Sequence, residues 1–154
     1  MSLYYEDFEV GQVFESHGRT ITESDLTIFS MVTGDWNKIH NDADFAATTP
    51  FGQRIVHGPL GIAICFGFLH ALGIFEDSVV AMKGIDDWKF EKPIVIGTTL
   101  RLRMTVTGKS LGKSGRTGQL GRRFELLDPA GERYQSGLSD VLVLTRAGVD
   151  AQGA

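Results

Sequence analysis

Asp35 and His40, separated by Trp36-Asn37-Lys38-Ile39, are the residues of this chain best suited to acid–base chemistry. A carboxylate and an imidazole aimed at one point can hold and polarise a water. Imidazole, with an unperturbed pKa of about 6.5, takes or gives a proton near neutral pH. A five-residue separation sets the two side chains about 140° apart on an α-helix and on opposite faces of a strand. They converge only if the backbone between them is irregular, and Asn37, whose side chain can bond nearby backbone groups, suits such a loop. By type and spacing alone, an aspartate and a histidine in a loop are as readily surface groups or a structural hydrogen bond.

A second feature is Ile55-Val56-His57-Gly58-Pro59. Gly58-Pro59 reads as a helix opening, with glycine at N-cap and proline at N1. A helix start presents unpaired N–H groups and a partial positive charge. Proline removes one of those donors, which leaves the Gly58 amide prominent, and a glycine lets a ligand carbonyl approach its backbone closely. A carbonyl bound there would be polarised as in an oxyanion hole, an interaction worth about 3 kcal/mol in a transition state. His57 either lines the pocket as a substrate contact or makes a structural contact ahead of the helix.

The elements that must position these groups follow from the pattern of residues. Gly11 marks a turn, and a strand runs from there to about Ile21. Thr22 reads as an N-cap with Asp25 three residues on, and Leu26, Phe29 and Val32 follow as one face of a short helix ended by Gly34. Residues 35–57 are loop-rich, with Asn41 or Asp42 placed to cap a short helix through Phe45 and Ala47; a stretch this irregular is uncommon unless it has a function. The helix from Gly58 to about Leu72, about 22 Å long, carries apolar residues all round, which predicts burial on most sides. Val79–Phe90 reads as a strand with an irregular Gly84–Asp87 inside it. Leu100, Leu102, Met104 and Val106 alternate with Arg101, Arg103 and Thr105, the pattern of a half-buried strand. Strands over 115–127 and 134–144 complete the chain, joined by the turn Asp128-Pro129-Ala130-Gly131. One central helix gripped by a curved antiparallel sheet satisfies this order: an α+β, hot-dog arrangement. A single domain over residues 1–146 is expected, with 147–154 a fraying, disordered tail.

Composition narrows the function. A formal charge of −4 argues against a general nucleic-acid binder, which is basic overall. The one cysteine, Cys65 in the apolar run ICFGFL, reads as a buried hydrophobe. With no disulfide framework and no signal-peptide pattern, a cytoplasmic location is expected. The apolar stretch at 59–75 is interrupted by glycines and His70 and is better read as a buried helix than a membrane span. His17 and His70 read as ordinary, and no histidine or cysteine pair has metal-ligand spacing, so no metal is expected. Residues 108–123 contain Lys109, Lys113, Arg116, Arg122 and Arg123 and no acid. They form either a solvated hairpin or, through Lys113 and Arg116, a cationic rim for the phosphates of an anionic substrate.

The run TGDWNKIHNDADFAATTPFGQRIVHG closely resembles the hydratase motif of the MaoC-like dehydratase family. That motif has a small residue, Asp, any residue, Asn, Pro, an aliphatic and His, then Asp-x-x-x-Ala and a late Val-His-Gly. The opening FEVGQVF and the later FEKPIVIGTTL also look like the family's first strand and its Phe-x-x-Pro turn, so the resemblance reaches to about residue 145. It implies a hot-dog fold, a homodimer or higher oligomer with active sites near the subunit interface, and reversible syn addition of water to a trans-2-enoyl thioester of coenzyme A or acyl-carrier protein, with no cofactor. Asp35 and His40 match the family's catalytic pair, Asn37 the asparagine that supports them, and Gly58 the glycine whose amide polarises the thioester carbonyl. The resemblance thus implies that His40 accepts a proton from a water shared with Asp35 while the water oxygen adds at C3. Lys38 departs from the motif by standing where the family has proline. A hot-dog thioesterase and a non-catalytic acyl-CoA-binding module are the competing readings. The first is disfavoured by the Asp-x-Asn-x-x-His run, the second by retention of both Asp35 and His40.

Overall fold

The computed structural model describes residues 2–151. After a 3-10 turn at Tyr5–Asp7 come strands β1 (Val13–Glu15) and β2 (Arg19–Thr20) and helices α1 (Glu23–Thr33), α2 (Lys38–Asn41), α3 (Ala43–Ala47) and α4 (Gly58–Ala71). Strands β3 (Val79–Met82), β4 (Asp86–Phe90), β5 (Thr99–Leu111), β6 (Thr117–Leu127), β7 (Arg133–Leu138) and β8 (Val141–Leu144) follow, then α5 (Arg146–Asp150). The expected hot-dog arrangement is what forms: antiparallel strands in the order β1-β5-β6-β7-β4, with β2 on β5, β8 on β6 and β3 on β8, curve around α4.

The curvature has a local cause. The segment 134–144, expected as one strand, breaks at Ser139 and Asp140. The first half of β6 therefore pairs with β8 (Leu120↔Val141) and the second half with β7 (Phe124↔Gly137). Arg122, 2 % exposed, pins this break: its Nε donates to the Ser139 carbonyl (2.9 Å) and its guanidinium lies between the rings of Phe75 and Phe124. Burial pushes its pKa down to about 10. The sheet's inner face is closed by Leu100, Leu102, Met104 and Val106, as the β5 alternation predicts. Each such side chain stabilises the fold by about 1.5–3 kcal/mol through burial.

Several expectations are corrected. The first strand is interrupted at Ser16–Gly18, leaving β1 and β2 as short pieces on β5. Helix α4 is not buried on most sides of a single chain: Leu60, Gly61, Ile64, Cys65, Phe68 and Leu69 are buried, whereas Ala63, Gly67, His70 and Ala71 are exposed. The sheet covers one face only, and the small residues on the other leave a cavity of about 580 Å³ beside β1 and β2. The start of the expected fraying tail is ordered: Thr145 caps α5 by accepting from the Gly148 N–H (2.9 Å), and Gly148 is buried. Residues 152–154 of that tail lie outside the described residues. Cys65 is fully buried with its thiol pushed up to about 12, as a structural cysteine should be. Among the described residues, no helix is long and apolar enough to cross a membrane.

Candidate active site

Asp35 is delivered by the end of α1. The helix starts with the expected capping box of Thr22 and Asp25 and stops at Gly34, whose φ of 75° places it in the left-handed region that glycine adopts without strain. Asp35 follows at once, its side chain half-exposed. It accepts the Asn37 N–H (3.2 Å), and Asn37 in turn accepts the Ile39 N–H (3.1 Å) as the N-cap of α2. The irregular backbone predicted between Asp35 and His40 is therefore confined to residues 34–37, and His40 sits on a single helical turn. Lys38 is N1 of that turn. Proline is favoured there because the N1 N–H has no intrahelical partner, so lysine in its place sacrifices no hydrogen bond. The turn is held instead by the Asn37 cap and by the Lys38 ammonium 5.8 Å from the Phe45 ring centroid.

His40 is aimed by a second contact. Its Nδ1 lies 2.7 Å from the Ile55 carbonyl oxygen. A carbonyl only accepts, so Nδ1 carries the proton and Nε2 presents a lone pair. That Nε2 stands 4.0 Å from Asp35 Oδ2. The separation is too long for a direct hydrogen bond and suits a water bound by both groups. The Ile55 carbonyl is itself fixed. The Ile55 N–H donates to Ile39 O (3.2 Å), Val56 N–H donates to Ile94 O (2.7 Å), and Arg54 makes a two-pronged pair with Glu23 at the start of α1. The guanidinium holds the Glu23 carboxyl below its usual range.

The start of α4 is one residue earlier than the sequence suggests. His57 is the N-cap, Gly58 is N1 and Pro59 is N2, because the His57 carbonyl already accepts the Leu60 N–H (3.0 Å). This strengthens the reading of Gly58: its amide is one of the orphan donors of the first turn, and it opens onto a cavity of about 270 Å³ lined by His40, Phe51, Ile55, Gly58, Phe90 and Gln135. A Cβ at position 58 would lie 2.8 Å from Phe90 Cε1, so close packing requires glycine there as well.

His57 does not line this cavity. It is 1 % exposed, with Nε2 3.1 Å from both Ser30 Oγ and the Asp35 carbonyl oxygen. Its ring is stacked on that of His40 at 3.8 Å. Burial pushes its pKa down, opposed by the bond to the Asp35 carbonyl and aided by the neighbouring His40. Asp35, His40 and His57 bring ligand atoms within 4.8 Å of one another. Two imidazoles lying face to face, however, direct their in-plane lone pairs side by side rather than at one ion, unlike a zinc site. Lys113 and Arg116 are not brought to the site within one chain. They occupy the β5–β6 hairpin, and Thr117 stands nine residues along β6, or about 30 Å of extended strand, from Leu126, the partner of Gln135. Nor is the basic run a patch, since the Lys109 ammonium binds the Phe8 carbonyl and Arg122 is buried.

Ser30 and Gln135 were not anticipated as parts of the site. Gln135, 2 % exposed, donates to the Gly58 carbonyl (3.2 Å) and accepts from the Trp88 indole (3.1 Å). A glutamine at an inward strand position was the available signal, since a buried amide must find partners.

The family model described as "MaoC like domain" matches residues 7–124. The chain is 39% identical over 106 residues to an (R)-specific enoyl-CoA hydratase of Rhodospirillum rubrum, covering 68% of this chain and 70% of that protein. It is 32% identical over 108 residues to Protein MaoC of Klebsiella aerogenes, covering 70% of this chain but only 32% of that longer protein, so the chain spans about a third of its length. A solved structure titled monoamine oxidase regulatory protein, from Archaeoglobus, superposes with a TM-score of 0.87 at 29% identity, covering 94% of this chain and 95% of that one. With a family match over most of its length, with His40 and Gly58 lining one cavity and with Asp35 facing His40 at 4.0 Å, the chain belongs to the MaoC-like domain family.

Proposed function

We propose that this protein is a hydro-lyase that adds water reversibly to trans-2-enoyl thioesters, giving 3-hydroxyacyl thioesters of (R) configuration. The observation that carries this reading is the aim of His40: with Nδ1–H tied to Ile55 O, its Nε2 lone pair faces the Asp35 carboxylate at 4.0 Å, and His40 lines one cavity with Gly58. A water held between Asp35 and Nε2 loses a proton to the imidazole as its oxygen bonds to C3. The C2=C3 π electrons move toward the thioester oxygen, where the Gly58 N–H stabilises the enolate. A proton returned to C2 on the same face completes the addition. No group outside the substrate, the water and the protein is required.

The acyl carrier in this reading is coenzyme A or acyl-carrier protein, and the cytoplasm is the compartment we favour. A homodimer is the assembly we favour. Among the described residues, strand β3 pairs only with β8 and leaves Val79, Val80 and Met82 about half-exposed, an apolar sheet edge of the kind a second copy covers. The Archaeoglobus protein is described as regulatory, but the intact Asp–His pair favours catalysis.

The test is a panel of trans-2-enoyl-CoA substrates of increasing chain length, followed by loss of the conjugated absorbance, with wild type, Asp35→Asn and His40→Ala. Each substitution is expected to lower kcat by 10²-fold or more, the scale of general acid–base catalysis, with melting temperature unchanged. Absence of hydration across the panel, or near-normal turnover by either variant, overturns the reading.

A further inference from the structure

The buried residue beneath the site has no part in the chemistry above. His57 does not line the Gly58 cavity, yet it meets both halves of the Asp35–His40 pair. A carbonyl oxygen can only accept, so the 3.1 Å contact between His57 Nε2 and the Asp35 carbonyl places the His57 proton on Nε2. The Ser30 hydroxyl, also 3.1 Å from Nε2 and 3.3 Å from Asn41 Oδ1, ties the same nitrogen to α1 and α2. Nδ1 of His57 is then unprotonated, and it is buried without a partner among the described residues. The stacked rings, 3.8 Å apart and inclined by 29°, are therefore in opposite tautomers: Nδ1–H in His40 and Nε2–H in His57.

We propose that His57 is a positioning residue for the reaction: a neutral imidazole that holds the Asp35 backbone through Nε2–H and supports the His40 ring by stacking, so that base and carboxylate keep a common geometry. This deepens the proposed hydratase reading and rests on it. The groups facing His57 are His40 and Asp35, which are titratable, and Ser30 and Phe29, which are not. A proton on Nδ1 would put a cation against the ring that must accept a proton from water. Burial and the proximity of His40 both oppose that charge, which keeps the support neutral where His40 works.

Two measurements on the intact protein test this. The first is independent of turnover: nitrogen-15 NMR of the imidazoles near pH 7, with His57→Gln and His40→Ala used to assign the signals. His40 is expected as the Nδ1–H form and His57 as the Nε2–H form; the same tautomer in both, or a protonated His57, overturns the proposal. The second compares His57→Ala with His57→Gln, whose amide can return a donor to the Asp35 carbonyl. The alanine variant is expected to lose tenfold or more in kcat with KM within threefold, and the glutamine variant to recover at least half of that loss on a logarithmic scale. Unchanged kcat in a folded alanine variant, a rise in KM at constant kcat, or equal loss in both variants at matched melting temperatures overturns the role. If wild type hydrates no enoyl thioester while the tautomers are as stated, it is the hydratase reading that fails and not the geometry.

Discussion

Gln135 reaches from β7 to the first turn of α4, donating to the Gly58 carbonyl oxygen at 3.2 Å while its own oxygen accepts from Trp88 Nε1. One buried amide thus couples the sheet to the first residue of α4, which lines the cavity. Gly61 completes the fit, since a Cβ there would meet Gln135 Nε2 at 2.3 Å. Replacing Gln135 by leucine leaves the Trp88 indole N–H without this partner and strips the Gly58 carbonyl of its bond to the sheet. A loss of about 1–3 kcal/mol is expected, read by urea denaturation, together with a fall in kcat as Gly58 shifts. A variant of unchanged stability and turnover would show that the coupling does not matter.

Gly58→Ala tests the amide through the space around it. The added methyl would lie 2.8 Å from Phe90 Cε1, and the Phe90 ring, 55 % exposed, can move aside. Stability should therefore fall by no more than about 1–3 kcal/mol, the usual cost of overpacking. The methyl stands at the cavity where a carbonyl would approach, so kcat/KM should drop by roughly 10–10²-fold; loss of a whole oxyanion donor costs about 10²–10³. Wild-type kcat/KM in Gly58→Ala would remove Gly58 from the site.

The pH dependence of stability separates two groups of residues. His57 is held below its ordinary pKa of 6.5 in the folded state. Below pH 6.5 the unfolded chain therefore binds a proton that the folded chain refuses, and stability falls with pH until the folded pKa is passed. Glu23 and Asp25, held low in the fold with Arg54 and Arg19 as partners, contribute stability that disappears only as pH falls through the acidic range below their ordinary values of 4.5 and 3.8. Thermal melts between pH 7 and 5 should show a decline that His57→Gln removes. A decline that persists unchanged in His57→Gln would assign it elsewhere.

Cationic recognition of the substrate is expected from Lys92, which lines the cavity beside Gly58, and not from the β5–β6 hairpin. Lys92→Ala should raise KM for an acyl-CoA severalfold at low salt, an effect screened at high salt. Neutralising Lys113 and Arg116 together should leave KM within twofold. The reverse pattern would return the cationic rim to the hairpin, contributed across a subunit boundary.

Much of this protein was determined by local rules. The box at Thr22 and Asp25, the stop at Gly34, the Asp42 cap of α3 and the alternation of β5 each depend on a few neighbouring residues and a period of 3.6 or 2, so they were legible in the chain and formed as expected. Asp35, His40 and Gly58 were legible as chemical types in a motif. Tertiary structure decided what depends on distant partners. Ile55 O selects the His40 tautomer, Gln135 crosses 77 residues of sequence to reach Gly58, and His57 turns away from the cavity to lie under His40. The break at Ser139 and the open face of α4 belong to the same class, because a strand's own pattern does not say where its partner changes or which face the sheet leaves bare. A hydrogen bond or stacked ring between residues far apart in sequence leaves no periodic trace in either segment.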